Sequence, residues 1–270
     1  MKILLIIVIV IVVIAVLAWL GLQIKPKPFP AYPDEEAELE YVPLPDGLPA
    51  PVERFYTTLY SDEVPLVTSA VISGRADMRV NGITFPARFR FTHTAGQDYR
   101  HYIEATLFGL PLMQVNESYL DGKSRMELPF GITENEPKID ESANLGLWAE
   151  SMWLPSLWVT DERVRWEPID ANSATLIVPF GKQENTFTVR FDPETSLLRE
   201  MEAMRYREAS DAQRIRWICR SEQWGKVGEK DTLETGSITW MDEGTPWAVF
   251  YVEELLYNVD VEAYVRQKGI

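Results

Sequence analysis

The sequence of 270 residues contains a single cysteine, Cys219. One cysteine cannot form an intrachain disulfide, and it cannot supply a metal site built from several cysteines. Cys219 ends the segment RIRWIC, where it shares one strand face with Ile215 and Trp217 if the segment is extended. We therefore expect a buried, apolar role for this thiol, with a reactive cysteine as the alternative.

Basic residues are also scarce, because 26 Lys and Arg stand against 41 Asp and Glu and give a formal net charge of -15. Nucleic-acid binding needs a concentrated cationic surface, so the composition argues against a nucleic-acid partner. Short basic pieces do occur, such as the one that places Arg214, Arg216 and Arg220 at alternate spacing. That spacing is typical of the solvent face of a strand.

Motifs for nucleotide binding and acyl transfer are missing. The sequence has no GxGxxG, no Walker loop and no GxSxG. We therefore expect no cofactor, and the sequence favours a protein that is not an enzyme. Carboxylates are so abundant in this chain that pairs of them carry no information about catalysis.

The longest apolar run is Ile3–Leu22, which contains 20 residues without a charge. At ~1.5 Å per residue, a helix of this length spans the ~30 Å hydrocarbon core of a bilayer. A cleaved signal peptide has a shorter apolar region, roughly 7–15 residues, before a small-residue cleavage site. Here the run ends in AVLAWLGLQ, and Trp19 fits the aromatic belt of a membrane interface. We predict that residues 1–24 form an uncleaved single-pass anchor in the membrane rather than a buried core helix.

The charges beside this run do not decide its orientation. Lys2 and the amino terminus lie on one side, and Lys25 and Lys27 lie on the other. The positive-inside rule therefore gives a tie. A large acidic domain that follows an N-terminal anchor is commonly exported, which favours an extracytoplasmic location.

Residues 25–50 are rich in proline and acidic side chains, as in KPKPFPAYPDEEAELEYVPLPDG. Prolines favour an extended, semi-rigid chain and discourage both helix and sheet. We predict a tether between the anchor and the folded domain. A proline-rich recognition ligand is the alternative.

Residues 51–270 are predicted to form one β-rich domain. A short amphipathic helix that starts at Pro51 comes first, and then the apolar period becomes two residues. Asn81-Gly82 and Asp121-Gly122 are strong hairpin signals between alternating segments. About a dozen such segments predict a mainly β (α+β) fold, with a curled antiparallel meander sheet or half-barrel and one or two packed helices.

One further helix is predicted in the middle of this domain. Asp140 can cap its N-terminus, and Pro155 ends it. Glu150 lies one residue away from the apolar stripe, so we expect it on the polar face. The stripe consists of Leu145, Trp148, Ala149 and Met152.

Four tryptophans lie in or near this helix. Trp148 is on the apolar stripe and Trp166 is on the apolar side of a strand, so both are expected in the core. Trp153 and Trp158 flank the end of the helix, and no local pattern explains them. We predict that a ligand site, if the protein has one, includes Trp153, Trp158 and Glu150.

The chain has two histidines, His93 and His101, on neighbouring predicted strands. A three-residue loop over residues 96–98 pairs Phe91 with Ile103 and places the histidines directly opposite each other. Opposed residues have Cβ atoms ~4.5–5.5 Å apart, close enough to share a metal ion or a proton. The alternative is a pair of ordinary half-buried residues at a hairpin end.

Several segments together resemble a known family: LPAPVERFY, YLDGKSRMEL, WAESMWLPSLW, VRWEPID, EQW and SITWMDEGTPWAVFYVEEL. They are similar to uncharacterised bacterial membrane-anchored proteins catalogued as a domain of unknown function (DUF6544- or DUF6920-like). In that family LPxPVxRY opens the domain and a VxWxP strand lies mid-chain. The resemblance covers most of residues 48–257 and departs at Tyr56 and Thr57, where an R-Y-L run is usual. It implies a domain boundary and no activity.

Three hypotheses for the function follow. The first is a membrane-tethered module that binds an apolar ligand or lipid in the curled sheet, and by analogy of fold alone it resembles the half-barrel lipid or lipoprotein carriers of bacterial envelopes. The second is a structural or partner-interaction domain of the cell envelope. The third is an envelope hydrolase that uses carboxylates, with or without the histidine pair. The oligomeric state is left open.

Overall fold

The computed structural model describes all 270 residues, which form five α-helices, one 3-10 turn and 15 strands. The helices are α1 Lys2–Leu22, α2 Ala50–Tyr60, α3 Pro137–Glu150, α4 Leu157–Thr160 and α5 Glu262–Arg266, and the 3-10 turn is Ser151–Trp153. The strands are β1 Tyr41–Pro43, β2 Glu63–Pro65, β3 Ser69–Val80, β4 Ile83–Thr94, β5 Asp98–Leu107, β6 Leu110–Leu120, β7 Lys123–Leu128, β8 Gly131–Glu134, β9 Arg165–Pro168, β10 Ser173–Phe180, β11 Gln183–Phe191, β12 Leu198–Arg205, β13 Ile215–Val227, β14 Lys230–Trp240 and β15 Pro246–Tyr257.

Thirteen of the strands form one antiparallel sheet in the order β8-β7-β6-β5-β4-β3-β15-β14-β13-β12-β11-β10-β9. It consists of two meanders, β3–β8 and β9–β15, which are joined where β15 pairs with β3. The sheet is curled, but it is not closed, because the edge strands β8 and β9 do not pair with each other. Strands hold 47% of the residues and helices 21%, which confirms the predicted mainly β meander.

The two predicted hairpin turns are confirmed. Val80 pairs with Ile83 around Asn81-Gly82, and Leu120 pairs with Lys123 around Asp121-Gly122. Both residues of each turn have positive φ, 50° and 82° in the first and 51° and 77° in the second. That backbone matches the twist of the flanking strands, and Asn, Asp and Gly adopt it most easily.

The main core lies on the concave face of the sheet, where 45 buried hydrophobic residues form one cluster. Helix α2 packs here, with Phe55 and Tyr56 fully buried. Alternate strand residues enter the same cluster, for example Phe89 and Phe91 of β4. Because successive side chains of a strand point to opposite faces, Arg90 and Thr92 face the other side.

The outer face carries a smaller apolar cluster and the first part of the segment between α1 and α2. Tyr32 is buried against Val71 of β3 and Val265 of α5. The Tyr32 backbone N–H donates to the Glu254 carboxylate (3.1 Å), and its hydroxyl donates to the Asp260 carbonyl (2.6 Å). The chain around Tyr32 therefore lies along the outer face, whereas Leu39, Val42, Leu44 and Leu48 further along pack against the main core.

The predicted N-terminus of α3 needs correction. The helix begins at Pro137, because proline suits the first helical position, so Asp140 falls within the first turn and does not cap the helix. Its buried carboxylate instead accepts hydrogen bonds from the Ser124 backbone N–H (2.8 Å) and the Lys123 ammonium (2.7 Å). Asp140 thus fixes α3 to β7.

Helix α1 has 21 residues, of which only Gly21 is buried. By length and composition it is the one helix of the chain that could cross a bilayer. Its C-terminal end contacts the turn between β5 and β6, where the Phe108 N–H donates to the Gly21 carbonyl (2.9 Å).

Candidate functional site

A cavity of about 70 Å³ lies between the concave face of the sheet and α3 with its following 3-10 turn. Eleven of its 18 lining residues are hydrophobic. The aromatic part of the wall consists of Phe91, Trp153, Trp217, Trp247 and Phe250. The ionisable part consists of Tyr99, His101, Glu117, Glu150, Arg205 and Cys219.

The predicted register of the two histidines was wrong by two residues. Phe91 pairs with His101, and His93 pairs with Tyr99, because the loop is Ala95–Gln97 and not residues 96–98. This loop puts Gly96 at its centre with φ of 66°. His93 and His101 are therefore diagonal neighbours on the concave face, with ring centroids 6.0 Å apart.

Glu150 joins the two histidines. Its Oε2 lies 2.7 Å from His101 Nε2 and 3.1 Å from His93 Nε2, although only the first contact is a well-directed hydrogen bond. We expected Glu150 on a solvent-facing side of α3. Ten of the 14 residues of this helix are buried, so its polar side also faces protein.

A second carboxylate, that of Glu117 on β6, approaches His101 from the other side. Glu117 Oε2 lies 3.7 Å from His101 Nδ1, and the Tyr99 hydroxyl donates to Glu117 Oε1 (2.6 Å). The Tyr99 ring stacks on the His101 ring at 4.0 Å. Sequence reasoning missed Glu117, because β5 and β6 pair through a bulge after Ala105 that no local pattern indicates.

The charges of this cluster follow from its neighbours. Burial alone would lower the pKa of His101, but the carboxylates of Glu150 and Glu117 outweigh it and raise that pKa to about 9. Burial would raise the pKa of Glu150, but His101 outweighs it and lowers that pKa to about 2. Burial lowers the pKa of His93. At neutral pH the cluster is thus a His101–Glu150 ion pair beside a neutral His93.

The cavity wall also contains three buried N–H donors without a hydrogen-bond partner: Arg205 Nε, Trp217 Nε1 and Trp247 Nε1. The Arg205 guanidinium lies over the Trp217 ring at 4.4 Å from its centroid. Sequence reasoning missed Arg205, although the pattern contains a signal for it. Met201, Ala203 and Arg205 alternate along one predicted strand, so an arginine occupies an otherwise apolar face.

The two tryptophans singled out in the sequence have different positions. Trp153 lines the cavity, and its indole N–H donates to the Leu233 carbonyl (3.2 Å). Trp158 lies in the core away from the cavity wall, where its indole N–H donates to the Trp148 carbonyl (3.2 Å). Only Trp153 and Glu150 of the three candidate ligand residues therefore meet at the cavity.

Cys219 is buried in the same wall. Burial raises the pKa of its thiol, so the thiol is neutral at physiological pH. The residue contributes apolar surface to the cavity.

The structure thus defines a mainly β protein whose curled sheet holds a small aromatic cavity with an ionic cluster in its wall. The family model described as "Family of unknown function (DUF6544)" matches residues 39–252, and the chain belongs to that family. No curated protein matches the chain.

Three solved structures are similar to this chain. A LolA superfamily protein from Nitrosomonas europaea has a TM-score of 0.48 at 8% identity and covers 82% of this chain and 99% of its own. A DUF1329 family protein from Desulfovibrio piger ATCC 29098 has a TM-score of 0.44 at 12% identity, with 82% and 98% covered. An outer membrane lipoprotein-sorting protein domain from Vibrio parahaemolyticus has a TM-score of 0.44 at 9% identity, with 80% and 94% covered.

Proposed function

We propose that the protein is a single-pass membrane-anchored module that binds an amphipathic ligand, with a carboxylate or carbonyl end, in the cavity beneath α3. The observation that carries this proposal is the set of three unpartnered N–H donors in an aromatic wall. Buried donors in native proteins nearly always have acceptors. A ligand oxygen supplies one.

The energetics favour a ligand with an acceptor at one end. Each buried donor without a partner costs about 1–3 kcal/mol, so a ligand oxygen that satisfies one recovers part of that cost. A guanidinium matches the geometry of a carboxylate, and the Arg205 guanidinium is already positioned by its cation–π contact with Trp217. The aromatic side chains of the wall cover the apolar part of the ligand.

The size of the cavity limits what enters it. A volume of about 70 Å³ holds the polar end and the first carbons of a ligand rather than a whole lipid. A ligand with a longer hydrocarbon tail requires movement of a residue in the cavity wall. Trp247 is the candidate, because it is only half-buried and its indole N–H has no acceptor.

The anchor in this proposal is α1, which is long and apolar enough to cross a bilayer. We place the β domain outside the cytoplasm, because a large acidic domain after an N-terminal anchor is commonly exported. This location brings the cavity near a membrane, which is a source of amphipathic ligands.

The test uses the full chain in amphipol, with octanoate as the probe and octanol as the ligand without a carboxylate. Isothermal titration calorimetry is expected to show binding of octanoate that weakens at least about tenfold in Arg205→Met, a loss of about 1.4 kcal/mol. Arg199→Met is the matched control, because Arg199 is exposed on the same strand. Equal affinity of octanoate for both variants, or no binding to the wild type, overturns the proposal.

A second candidate function is supported by a separate observation. Ligand atoms of His93, His101 and Glu150 lie within 4.8 Å of one another, and two histidines with one carboxylate are a ligand set for zinc and other transition metals. Glu117 would orient His101 from behind, as carboxylates do for metal-bound histidines. The structure also explains the same three side chains as an ion pair with a neutral neighbour, so the metal is the secondary proposal.

Zinc content after equilibration and desalting tests the metal site. The wild type is expected to retain one Zn²⁺ per chain, and a His93→Ala, His101→Ala double variant is expected to retain none. Glu222→Gln serves as the control, since Glu222 lies on the exposed side of β13. If the double variant loses neither zinc nor zinc-dependent stability, the metal proposal is discarded. The hydrolase and the partner-interaction domain stay predictions without a site of their own.

A further inference from the structure

The turn between β5 and β6 exposes large apolar side chains to solvent. Phe108, Leu110 and Leu112 are 46%, 69% and 54% exposed. Single exposed apolar residues are ordinary on protein surfaces, but a contiguous group marks an interaction site.

This turn is attached to the end of α1. The Phe108 N–H donates to the Gly21 carbonyl (2.9 Å), and a Cβ at residue 21 would lie only 2.7 Å from the Phe108 ring and 2.8 Å from the Leu107 side chain. Glycine at this position therefore permits the close approach. The turn lies at the level of the last turn of the apolar helix.

A second apolar turn lies beside the first. The β7–β8 turn exposes Leu128, Phe130 and Ile132, and Phe130 is 90% exposed. Leu128 and Leu112 line one surface groove, so the two turns lie side by side at the same end of the sheet.

The first turn has a backbone conformation in which phenylalanine is an unusual residue. Phe108 has φ of 54° and Gly109 has φ of 73°, the same turn geometry as at Asn81-Gly82. Asparagine and aspartate suit the first position of this turn, and a bulky residue there is strained. The turn itself therefore does not account for a phenylalanine here, and about half of the side chain is exposed although its ring lies beside Gly21.

We propose that these two turns, Leu107–Leu112 and Leu128–Ile132, insert into the lipid surface beside α1 and hold this end of the sheet against the bilayer. The inference rests on the membrane-spanning role of α1 in the proposed function. The occupant is lipid because the first turn lies against the last turn of α1, where Leu107 and the Phe108 ring approach Gly21. Lys25 and Lys27, both exposed just after the helix, suit the phosphate groups of the same interface.

The experiment places an environment-sensitive NBD label on single introduced cysteines of the full chain in phosphatidylcholine–phosphatidylglycerol nanodiscs, with a shallow doxyl-lipid quencher for the turns and a deep one for residue 10. Leu110→Cys and Phe130→Cys report on the turns. Glu194→Cys, in the exposed β11–β12 turn at the opposite end of the sheet, is the matched control. Val10→Cys reports on α1, and the wild type shows whether the buried Cys219 takes up label.

Quenching at residues 110 and 130 is expected to reduce emission at least about twofold, with no change at residue 194. If residue 10 is quenched and residues 110 and 130 are not, the inference is wrong while the anchor stands. If residue 10 is not quenched, the anchor and the inference both fall. A blue-shifted label at residue 110 without quenching shows that a second copy of the chain covers the patch, which also overturns the inference.

A second variant tests the attachment to α1. Gly21→Leu places a side chain where the Phe108 ring lies, so the turn must move away from the helix. Quenching at residue 110 is expected to fall towards that of residue 194, while quenching at residue 10 is unchanged. Unaltered quenching at residue 110 contradicts the proposed geometry.

Discussion

The concave and outer faces of the sheet use opposite chemistry although they belong to the same strands. On the concave face 45 buried residues form the core, and the charges of His101 and Glu150 are enclosed there as a pair. On the outer face of β11–β13, Arg190, Arg216 and Arg220 pair with Glu200 and Glu202 across neighbouring strands, with the arginines half-exposed.

This difference indicates which ion pairs contribute most to the free energy of unfolding. Pairs in contact with water gain little, because the solvent already stabilises each charge. A buried pair is different, since removing one partner leaves an uncompensated charge. Substitutions on the concave face are therefore expected to have larger effects than equivalent substitutions on the outer surface.

The largest effect is expected for Phe89→Ala on the concave face. Phe89 is fully buried and its ring contacts Phe91 and Phe250, so its removal leaves a cavity and costs about 3–5 kcal/mol. Met204→Ala, at an exposed site on β12, should stay within about 0.5 kcal/mol. Denaturant unfolding of the full chain in detergent measures both, and similar losses would remove the energetic contrast between buried and exposed sites.

The next largest effect is expected for Glu150→Ala. This change leaves His101 without its closest carboxylate in a buried site, so the free energy of unfolding at pH 6 should fall by about 3 kcal/mol. Glu184→Ala breaks the surface pair with Arg165 and should have a much smaller effect, because water already stabilises both charges. The same denaturant titration distinguishes them. A Glu150→Ala loss no larger than that of Glu184→Ala would mean that the ion pair does not stabilise the fold.

The pH dependence of stability follows from the raised pKa of His101. The pKa is about 9 in the folded state against about 6.5 in the unfolded state, so this stabilisation is fully present below pH 6.5 and is lost as the pH rises through 9. We expect the free energy of unfolding to fall by on the order of 2 kcal/mol over that window, measured with a chelator present. His101→Gln should flatten the profile, because no titrating imidazole remains at that position. An unchanged slope in the variant assigns the pH dependence to other groups.

The smallest effect is expected on the outer face, for Tyr32→Phe. The change removes the hydrogen bond from the hydroxyl to the Asp260 carbonyl and keeps the ring against Tyr264, so it should cost about 1 kcal/mol. Thermal unfolding checks this value. A loss above that of Glu150→Ala would show that the segment after α1 contributes more to stability than the cavity wall does.

Part of the site could be predicted from local patterns. The alternation in β4 correctly put Phe89 and Phe91 on the buried face. Because the β4–β5 loop has an odd number of residues, both histidines were also correctly put on that face. The loop position was wrong by one residue, which changed the pairing by two. Register depends on which residue accepts positive φ, and here that residue is Gly96 at the centre of the loop.

Other parts of the site have no local signal. Glu150 is one residue away from an apolar stripe, which normally indicates solvent, yet β4 and β5 place two histidines over it. Arg205, Trp217 and Trp247 come from three strands that meet only when β12–β15 curl around α3. Such convergence depends on sheet curvature and helix docking, which the spacing of residues within one segment does not encode.

The sequence by itself determined the apolar helix, the period of the strands, the glycine turns and the meander order. Each of these depends on residues close together in the chain, through side-chain alternation, turn backbone and helix length. Only the tertiary structure decided the pairing of β15 with β3, the packing of Tyr32 on the outer face, and the meeting of Glu150 with His93 and His101. These contacts join distant segments, and the bulges, loops and buried charges that set them act only once the sheet has formed.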